Sequence, residues 1–591
     1  MSGPGSKETR PAPAVAAAES DQHALVRPGN PAPSVGRCGL GAYLRALSPT
    51  WLALGLYLLL SLLFFGRQVV GHLGSAVIAP NDIDPSQYQW FLAWWPHAIL
   101  HGLNPFITHQ VYVPQGYNLT WTTSMAGPAL VLAPLTIAFG STVSFNVFSL
   151  LAPTLSAWSA FLLCRHITRR TWPSLFGGFA FGFSGYMLTT TQGDPWLAFV
   201  ALLPAFVLLI LKWLDGSLSS RPFVGLMALG IAFQFLTSVE LLATATLLAG
   251  FALLAALILL DDRRAALLGL VLRLVLAGAV AAVVLSPFLI FMFSPHPVPN
   301  QALLLAKAPT DPISFWVPGP LQARGAWQAA QWARIGISGV TNTFAFLGVP
   351  ALLIVAAFAW ERRRERTVWL LVICFLASAL AVMGVRLVVA GHDTGLPLPW
   401  ALIRKLPFFQ YALPVRLGVF PALIAAVVLA MWLADARWGS LRWVGGALAA
   451  AALIPSLSAP VWHSATVDPP FFSTGEYHKY LSRSDNVVTI PVDGPNERWQ
   501  ARTGFAFNIV GGYLGAFPSS YTRFAAWNAL LNGKRSANWP QALRAYLAAK
   551  HATVILIDKR LGPTWPQLFT PLGLTPTNTG GVLIYRLAPR H

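Results

Sequence analysis

The sequence predicts a polytopic α-helical membrane protein of about 11 transmembrane helices with a small α/β domain at its C-terminal end. Three observations predict it. Of 591 residues, 55% are hydrophobic and only 10% charged, where a soluble protein has about 25% charged residues. The mean hydropathy is +0.58, and a single globular core cannot take up so much apolar surface because cores stop growing near ~250–300 residues. Apolar runs of spanning length recur up to residue 459, after which the composition returns to that of a water-soluble domain.

Lys and Arg number 40 against 21 Asp and Glu, a formal charge of +19. In a soluble protein that excess would suggest nucleic acid. In a membrane protein it collects in cytoplasmic loops, so no nucleic-acid partner is expected. Cys38, Cys164 and Cys374 are far apart and form no CxxC pair, so neither a zinc site nor a disulfide is expected.

Residues 1–50, rich in Ala, Pro, Gly and Ser, read as a disordered cytoplasmic tail without the order of a signal peptide. Arg27, Arg37 and Arg45 precede the first span, at 51–70, and favour a cytoplasmic N-terminus. Residues 72–142 form a first outer loop with interfacial helices. Its apolar piece at 127–139 begins at Gly127-Pro128 and contains Pro134. About 13 residues at 1.5 Å each do not cross ~30 Å of hydrocarbon, so this piece reads as re-entrant or interfacial.

The charges agree. If 127–139 does not span, the span at 143–164 delivers Arg165, Arg169 and Arg170 to the cytoplasm. The following spans are 173–189, 197–212, 222–239, 241–260, 270–294, 343–360, 367–389, 416–434 and 442–459. Their short inner loops then carry Lys212 and Arg221, Arg263 and Arg264, Arg362 to Arg364 with Arg366, and Arg437 with Arg442. Counting 127–139 as a span would invert every one of them. Residues 51–459 are thus the membrane domain, and 460–591 an α/β domain expected in the periplasm. In the latter, 487–490, 554–557 and 582–585 read as strands, and 541–550 as a helix with Leu543, Tyr546 and Leu547 on one face.

This topology sorts the carboxylates. Asp215, Asp261, Asp262, Glu361, Glu365 and Asp435 fall in basic inner loops. Asp82, Asp84, Asp194, Glu240, Asp311 and Asp393 fall on the outer face, several beside apolar spans where an uncompensated charge is costly. Asp82 and Asp84 sit in Asn81-Asp82-Ile83-Asp84-Pro85, before an aromatic stretch with Tyr88, Trp90, Phe91, Trp94 and Trp95. Capping that helix is the structural alternative for them. For Asp194, before Pro195, the alternative is a turn. Glu240 has almost no loop around it and reads as a buried, hydrogen-bonded carboxylate, structural or catalytic.

The layout of residues 50–460 resembles the GT-C superfamily of membrane glycosyltransferases: a cytoplasmic N-terminus, a long first outer loop with an early acidic motif, an acidic position in the next outer loop and a C-terminal outer domain. Locally, Phe179-Ala180-Phe181-Gly182-Phe183-Ser184-Gly185-Tyr186 and the run from Leu406 through Tyr411 and Pro414 to Arg416 resemble a bacterial branch of uncharacterised, YfhO-like membrane proteins. The chain departs from that branch at Tyr411, where an Arg is common, and at Gly193-Asp194, where a Gly-His pair is common.

The resemblance implies an inverting glycosyltransferase, hexosyl or pentosyl. It would move a sugar from a polyprenyl-phosphate donor to a cell-envelope glycan, lipid or protein acceptor on the outer face of the bacterial inner membrane. Asp84 or Asp82 would be the general base, with Asp194 and Glu240 as further catalytic carboxylates. Arg416, and behind it Lys405 and Arg404, would hold the donor phosphate, with Lys307, Arg324 and Arg334 as further outer cations. Snorkelling is the structural alternative for Arg416. Asp82 or Asp84, Asp194 and Glu240 should then share one outer-facing cavity, partly roofed by the C-terminal domain.

Other motifs are weak. Asn118-Leu119-Thr120 fits a glycosylation sequon. His97 and His101, four apart, could bind a metal but suit a polar interfacial face better. No metal ligand set is proposed, although a divalent ion stays open, and no P-loop, HExxH or GxSxG occurs. A transporter or flippase would place polar features at mid-membrane, often in repeated halves. A non-catalytic envelope assembly protein would use the outer domain for binding.

Overall fold

The structure is a computed structural model that describes residues 48–294, 309–323, 340–407, 409–435, 439–457 and 463–588. The N-terminal tail before Ser48, and Lys307, Arg324, Arg334 and Arg437, lie outside the described residues.

Eight described helices are long and apolar enough to cross a membrane: Pro49–Gly66, Ser141–Thr168, Pro195–Leu214, Ser220–Thr237, Val239–Leu259, Asp261–Val284, Thr343–Glu361 and Pro414–Ala434. The other three expected spans are helical but shorter, each for a local reason. The segment expected at 173–189 breaks after Gly182, where the hydroxyl of Ser184 caps a new helix, Gly185–Thr190. Arg366–Val382 stops before a hairpin of Arg386–Val389 with His392–Pro397. Gly439–Ala452 is followed by Pro455, which bridges to Gln322.

Helices Ser141–Thr168 and Pro414–Ala434 are buried over 72% of their apolar windows, against 17% for Val239–Leu259. The first two are the centre of the bundle, and the last faces lipid. Thr171–Gly182 packs between the central pair through Gly177, where an added Cβ would lie 2.7 Å from Cys164 Sγ and 3.0 Å from the carbonyl of Ala426. Cys164 and Cys374 are free thiols.

The segment 127–139 forms two helices, Ala126–Val131 and Ala133–Phe139. Neither is long enough to span. Their exposed Leu130, Val131, Ile137 and Phe139 present an apolar face suited to the membrane boundary. Four ion pairs join loops read as cytoplasmic: His166 with Asp215, Arg366 with Asp261, Arg362 with Asp435 and Arg442 with Glu361. Each pair puts its two loops on one side, so an even number of spans separates His166 from Asp215, Asp261 from Arg366, and Arg362 from Asp435.

The C-terminal domain holds a five-stranded sheet in the order Thr577–Thr579, Val582–Arg586, Val554–Asp558, Asn486–Ile490, Asn508–Ile509. The last three strands run parallel and the first two antiparallel to their neighbours. Helix Trp539–Ala549 buries Leu543, Tyr546 and Leu547, the face its spacing predicts.

This domain and the first outer loop are built into each other. Asn146, buried in the central helix, donates to the carbonyls of Leu73 and Ala76 and accepts from the amide of Ile78. That fixes the chain as it leaves the first span, and Ala76–Val77 then pairs with Ser464–Ala465. Helix Ile83–Leu100 follows. The sequence suggests an amphipathic helix with one wet face, but Pro85 through Trp95 are almost all buried. The reason is that the α/β domain covers the face turned away from the membrane. Trp90 stacks on Trp94, Phe505 packs edge-on against both, and the Trp90 indole donates to Gln500 at 2.7 Å.

Candidate functional site: an acidic cluster between the spans and the α/β domain

Four elements meet at one polar cluster. Asp84 lies in the first turn of helix Ile83–Leu100, and Tyr88 follows it by four residues, one turn along the same face. Asp194 ends the turn after Gly185–Thr190, placed by the positive φ of Gly193. Glu240 opens helix Val239–Leu259, whose start Ser238 caps. Arg416 sits in the turn that begins span Pro414–Ala434.

Contacts link them in series. Tyr88 donates to Asp194 at 3.1 Å, and the Trp196 indole donates to both Tyr88 (2.7 Å) and Asp194 (3.2 Å). The Arg416 guanidinium lies 5.0 Å from the Trp196 ring centroid, a cation–π contact. Glu240 pairs with Arg416 at 2.5 Å, and its second oxygen accepts from the amide of Leu413 at 3.0 Å. Glu240 is therefore a half-buried, bonded carboxylate whose partner is the cation itself.

Asp84 is exposed and accepts one hydrogen bond, from Gln87 at 3.2 Å. The protein packed around its carboxyl and the charge of Asp194 raise its pKa to about 6, against the opposing pull of Arg416. Burial raises Asp194 as well, although Arg416 and the bonds from Tyr88 and Trp196 oppose it. A carboxylate poised near neutrality beside a second carboxylate and a cation can accept a proton and stabilise charge.

Asp82, two residues earlier, belongs to a different network. It pairs with Arg498 of the α/β domain, which also binds Asp468 at 2.6 Å, and its side chain does not cap the helix. Asp468 in turn accepts from Trp499 at 3.0 Å and pairs with Arg502 at 2.9 Å. The amide of Arg498 donates to Ser86, so this network clamps the domain to the helix that carries Asp84. Arg404 and Lys405 are exposed at the end of helix Trp400–Ile403, and among the described residues no side-chain hydrogen bond or ion pair ties them to the cluster.

The α/β domain reaches the cluster through Gly511–Gly515. The amide of Tyr513 donates to the buried Glu497, and the carbonyl of Leu514 accepts from Thr122 at 2.6 Å. A Cβ added at Gly515 would meet Thr122 Oγ1 at 2.8 Å, with the Gln87 side chain beyond it. Burial, together with the charges of Asp84 and Asp194, pushes the Tyr513 hydroxyl up to about 12.

Tyr88, Trp196, Glu497, Arg498 and Tyr513 are residues that the sequence reading does not single out for the site. Tyr88 and Trp196 had a local signal, one helical turn and two residues from a chosen Asp. Arg498, Glu497 and Tyr513 had none, since they lie some 400 residues away in the chain.

The sequon is structural: Asn118 is buried, donates to the carbonyl of Phe291, and accepts from Thr120. His97 and His101 stack on each other and His97 lies against Phe505. No group of three or more His, Cys, Asp or Glu that could hold a metal ion occurs among the described residues.

No family model matches the sequence, and no curated protein does. Solved structures do match. The arabinofuranosyltransferase AftD from Mycobacteria superposes with a TM-score of 0.55 at 14% identity, over 92% of this chain and 40% of that one. The Archaeoglobus fulgidus oligosaccharyltransferase superposes with a TM-score of 0.47 at 14% identity, over 87% of this chain and 70% of that one. The chain shares the fold of the part of AftD that it matches, and it spans about two-fifths of the AftD chain.

Proposed function

We propose that this protein is an inverting membrane glycosyltransferase that uses a polyprenyl-phosphate sugar as donor and a cell-envelope glycan, lipid or protein as acceptor. The observation that carries the reading is Asp84, raised to about 6, beside Asp194 and next to the Glu240-bound Arg416. A charge-bearing cluster where spans meet an outer domain is costly to fold and is where function concentrates in membrane proteins. The GT-C fold agrees with it.

In the mechanism, Asp84 takes the proton from the acceptor hydroxyl. The acceptor oxygen bonds to the anomeric carbon as the bond from that carbon to the phosphate oxygen breaks, through an oxocarbenium-like state. The bonding pair leaves with the lipid phosphate, which needs no strong acid but does need positive charge. Arg416 supplies that charge, and Glu240 and Trp196 fix its position. Asp194 holds Tyr88 and Trp196 and keeps the pKa of Asp84 high enough for a base working near neutral pH. Asp82 serves the clamp with Arg498 rather than the chemistry.

The basic loops support a cytoplasmic N-terminus, with the cluster and the α/β domain in the periplasm of a bacterial inner membrane. The deciding experiment is incubation of the purified protein with a panel of radiolabelled polyprenyl-phosphate sugars and envelope acceptors, with and without a chelator. Label transfer that needs Asp84 supports the reading. Transport of donor without transfer would favour a flippase.

A further inference from the structure

On the opposite side of the bundle from the acidic cluster, a cavity of about 440 Å³ opens between the C-terminal ends of helices Ser141–Thr168 and Leu202–Leu214. Leu162, Arg165, His166, Arg169, Leu208 and Lys212 line it. Its volume is in the range of small-ligand sites. Three permanent cations face it. The nearby carboxylate, Asp215, pairs with His166 at 3.0 Å. The two helix ends supply only about half a negative charge each. Positive charge is therefore left over, and an anion fits.

The surroundings indicate which anion. Leu162 and Leu208 give the cavity an apolar wall. Trp51 and Trp172 are more than half exposed nearby, and the Trp158 indole donates to the carbonyl of Thr50, whose hydroxyl accepts from Arg165 at 3.1 Å. Trp residues at this density mark the depth of lipid headgroups. A basic pocket between spans at that depth suits an anionic headgroup.

We propose that this cavity binds the phosphate of an anionic membrane lipid, holding it between Arg165, Arg169 and Lys212 with an acyl chain along Leu162 and Leu208. The proposal does not depend on the glycosyltransferase reading.

The test uses the full chain, reconstituted in nanodiscs of phosphatidylcholine alone or with phosphatidylglycerol. Lipid retained after extraction is counted by native mass spectrometry. The wild type should retain phosphatidylglycerol in preference to phosphatidylcholine. Lys212→Gln should weaken retention ~5-fold and Arg169→Ala/Lys212→Ala ~30-fold, with unfolding temperatures in pure phosphatidylcholine unchanged. If the double variant does not fold, the single variant carries the test. Equal retention of the two lipids by the wild type, or undiminished phosphatidylglycerol in the variants, overturns the proposal. Stabilisation by inorganic phosphate in detergent, with no further gain from phosphatidylglycerol, overturns the lipid source and leaves a soluble phosphate site.

Discussion

Replacing Asp84 by Asn should separate function from stability. The side chain is exposed and accepts a single hydrogen bond, from Gln87 at 3.2 Å, so little structure depends on it. Burial and the charge of Asp194 raise its pKa to about 6. Fully realised, that rise would cost the ionised form about 3 kcal/mol. Solvent screening at an exposed group reduces this to roughly 1 kcal/mol or less. The amide removes that penalty and leaves the shape. Asp84→Asn should therefore be as stable as wild type or slightly more so, while transfer falls by ~10²–10⁴, the usual cost of losing a positioned base. Asp82→Asn should do the reverse. It removes the partner of a nearly fully buried Arg498, which keeps Asp468, so stability should fall by about 1–3 kcal/mol. Its transfer rate, measured well below the unfolding temperature, should stay within a few-fold of wild type. Thermal unfolding in one lipid mixture and label transfer from the donor panel measure both quantities. Full activity in both single variants and in the double variant would refute the general-base assignment.

Further outcomes are expected. The acid limb of the pH–rate profile should show an apparent pKa near 6, because Asp84 must be ionised to act. Asp194→Asn removes a charge that raises Asp84 while the amide keeps an acceptor oxygen for Tyr88, so that limb should move to lower pH. Arg416→Ala should raise KM for the donor and also lower kcat, since its charge acts on the bound phosphate and on the departing one; Glu240→Gln, which keeps an acceptor for the Leu413 amide, should be milder on both. Asp485→Ala should destabilise the α/β domain by about 3 kcal/mol, because Ser482, Thr553 and Arg586 all donate to that carboxylate. Burial would raise the Asp485 pKa, but those bonds outweigh it and hold it low. Its contribution is thus present above the unfolded carboxylate pKa and lost as pH falls through the lower folded value, which urea unfolding at several pH values measures. In a background without the native cysteines, Asn104→Cys and Ser484→Cys should label from outside intact spheroplasts and Arg364→Cys should not; the opposite pattern would invert the topology.

The sequence by itself determined the membrane class and the strands of the last domain, because each rests on local physics. An apolar run of about 20 residues has few other places to go, and alternation or a β-branched run such as Val487-Val488-Thr489-Ile490 commits its own backbone. Asp84, Asp194, Glu240 and Arg416 were legible for a related reason: charge beside apolar spans is conspicuous wherever it occurs. Only the tertiary structure decided how they meet. Asp82 and Asp84 are two residues apart with the same chemistry, and nothing local separates them. What separates them is Arg498, more than 400 residues later, which takes Asp82 into the clamp and leaves Asp84 beside Asp194. The same long-range packing turned a helix with one expected wet face into one buried on nearly all sides, since period and composition report how apolar a helix is and not what covers it. Pairings across hundreds of residues depend on how the chain returns to itself, and that return was fixed by Asn146 and the short pairing of Ala76–Val77 with Ser464–Ala465, contacts too small to leave a pattern in the sequence.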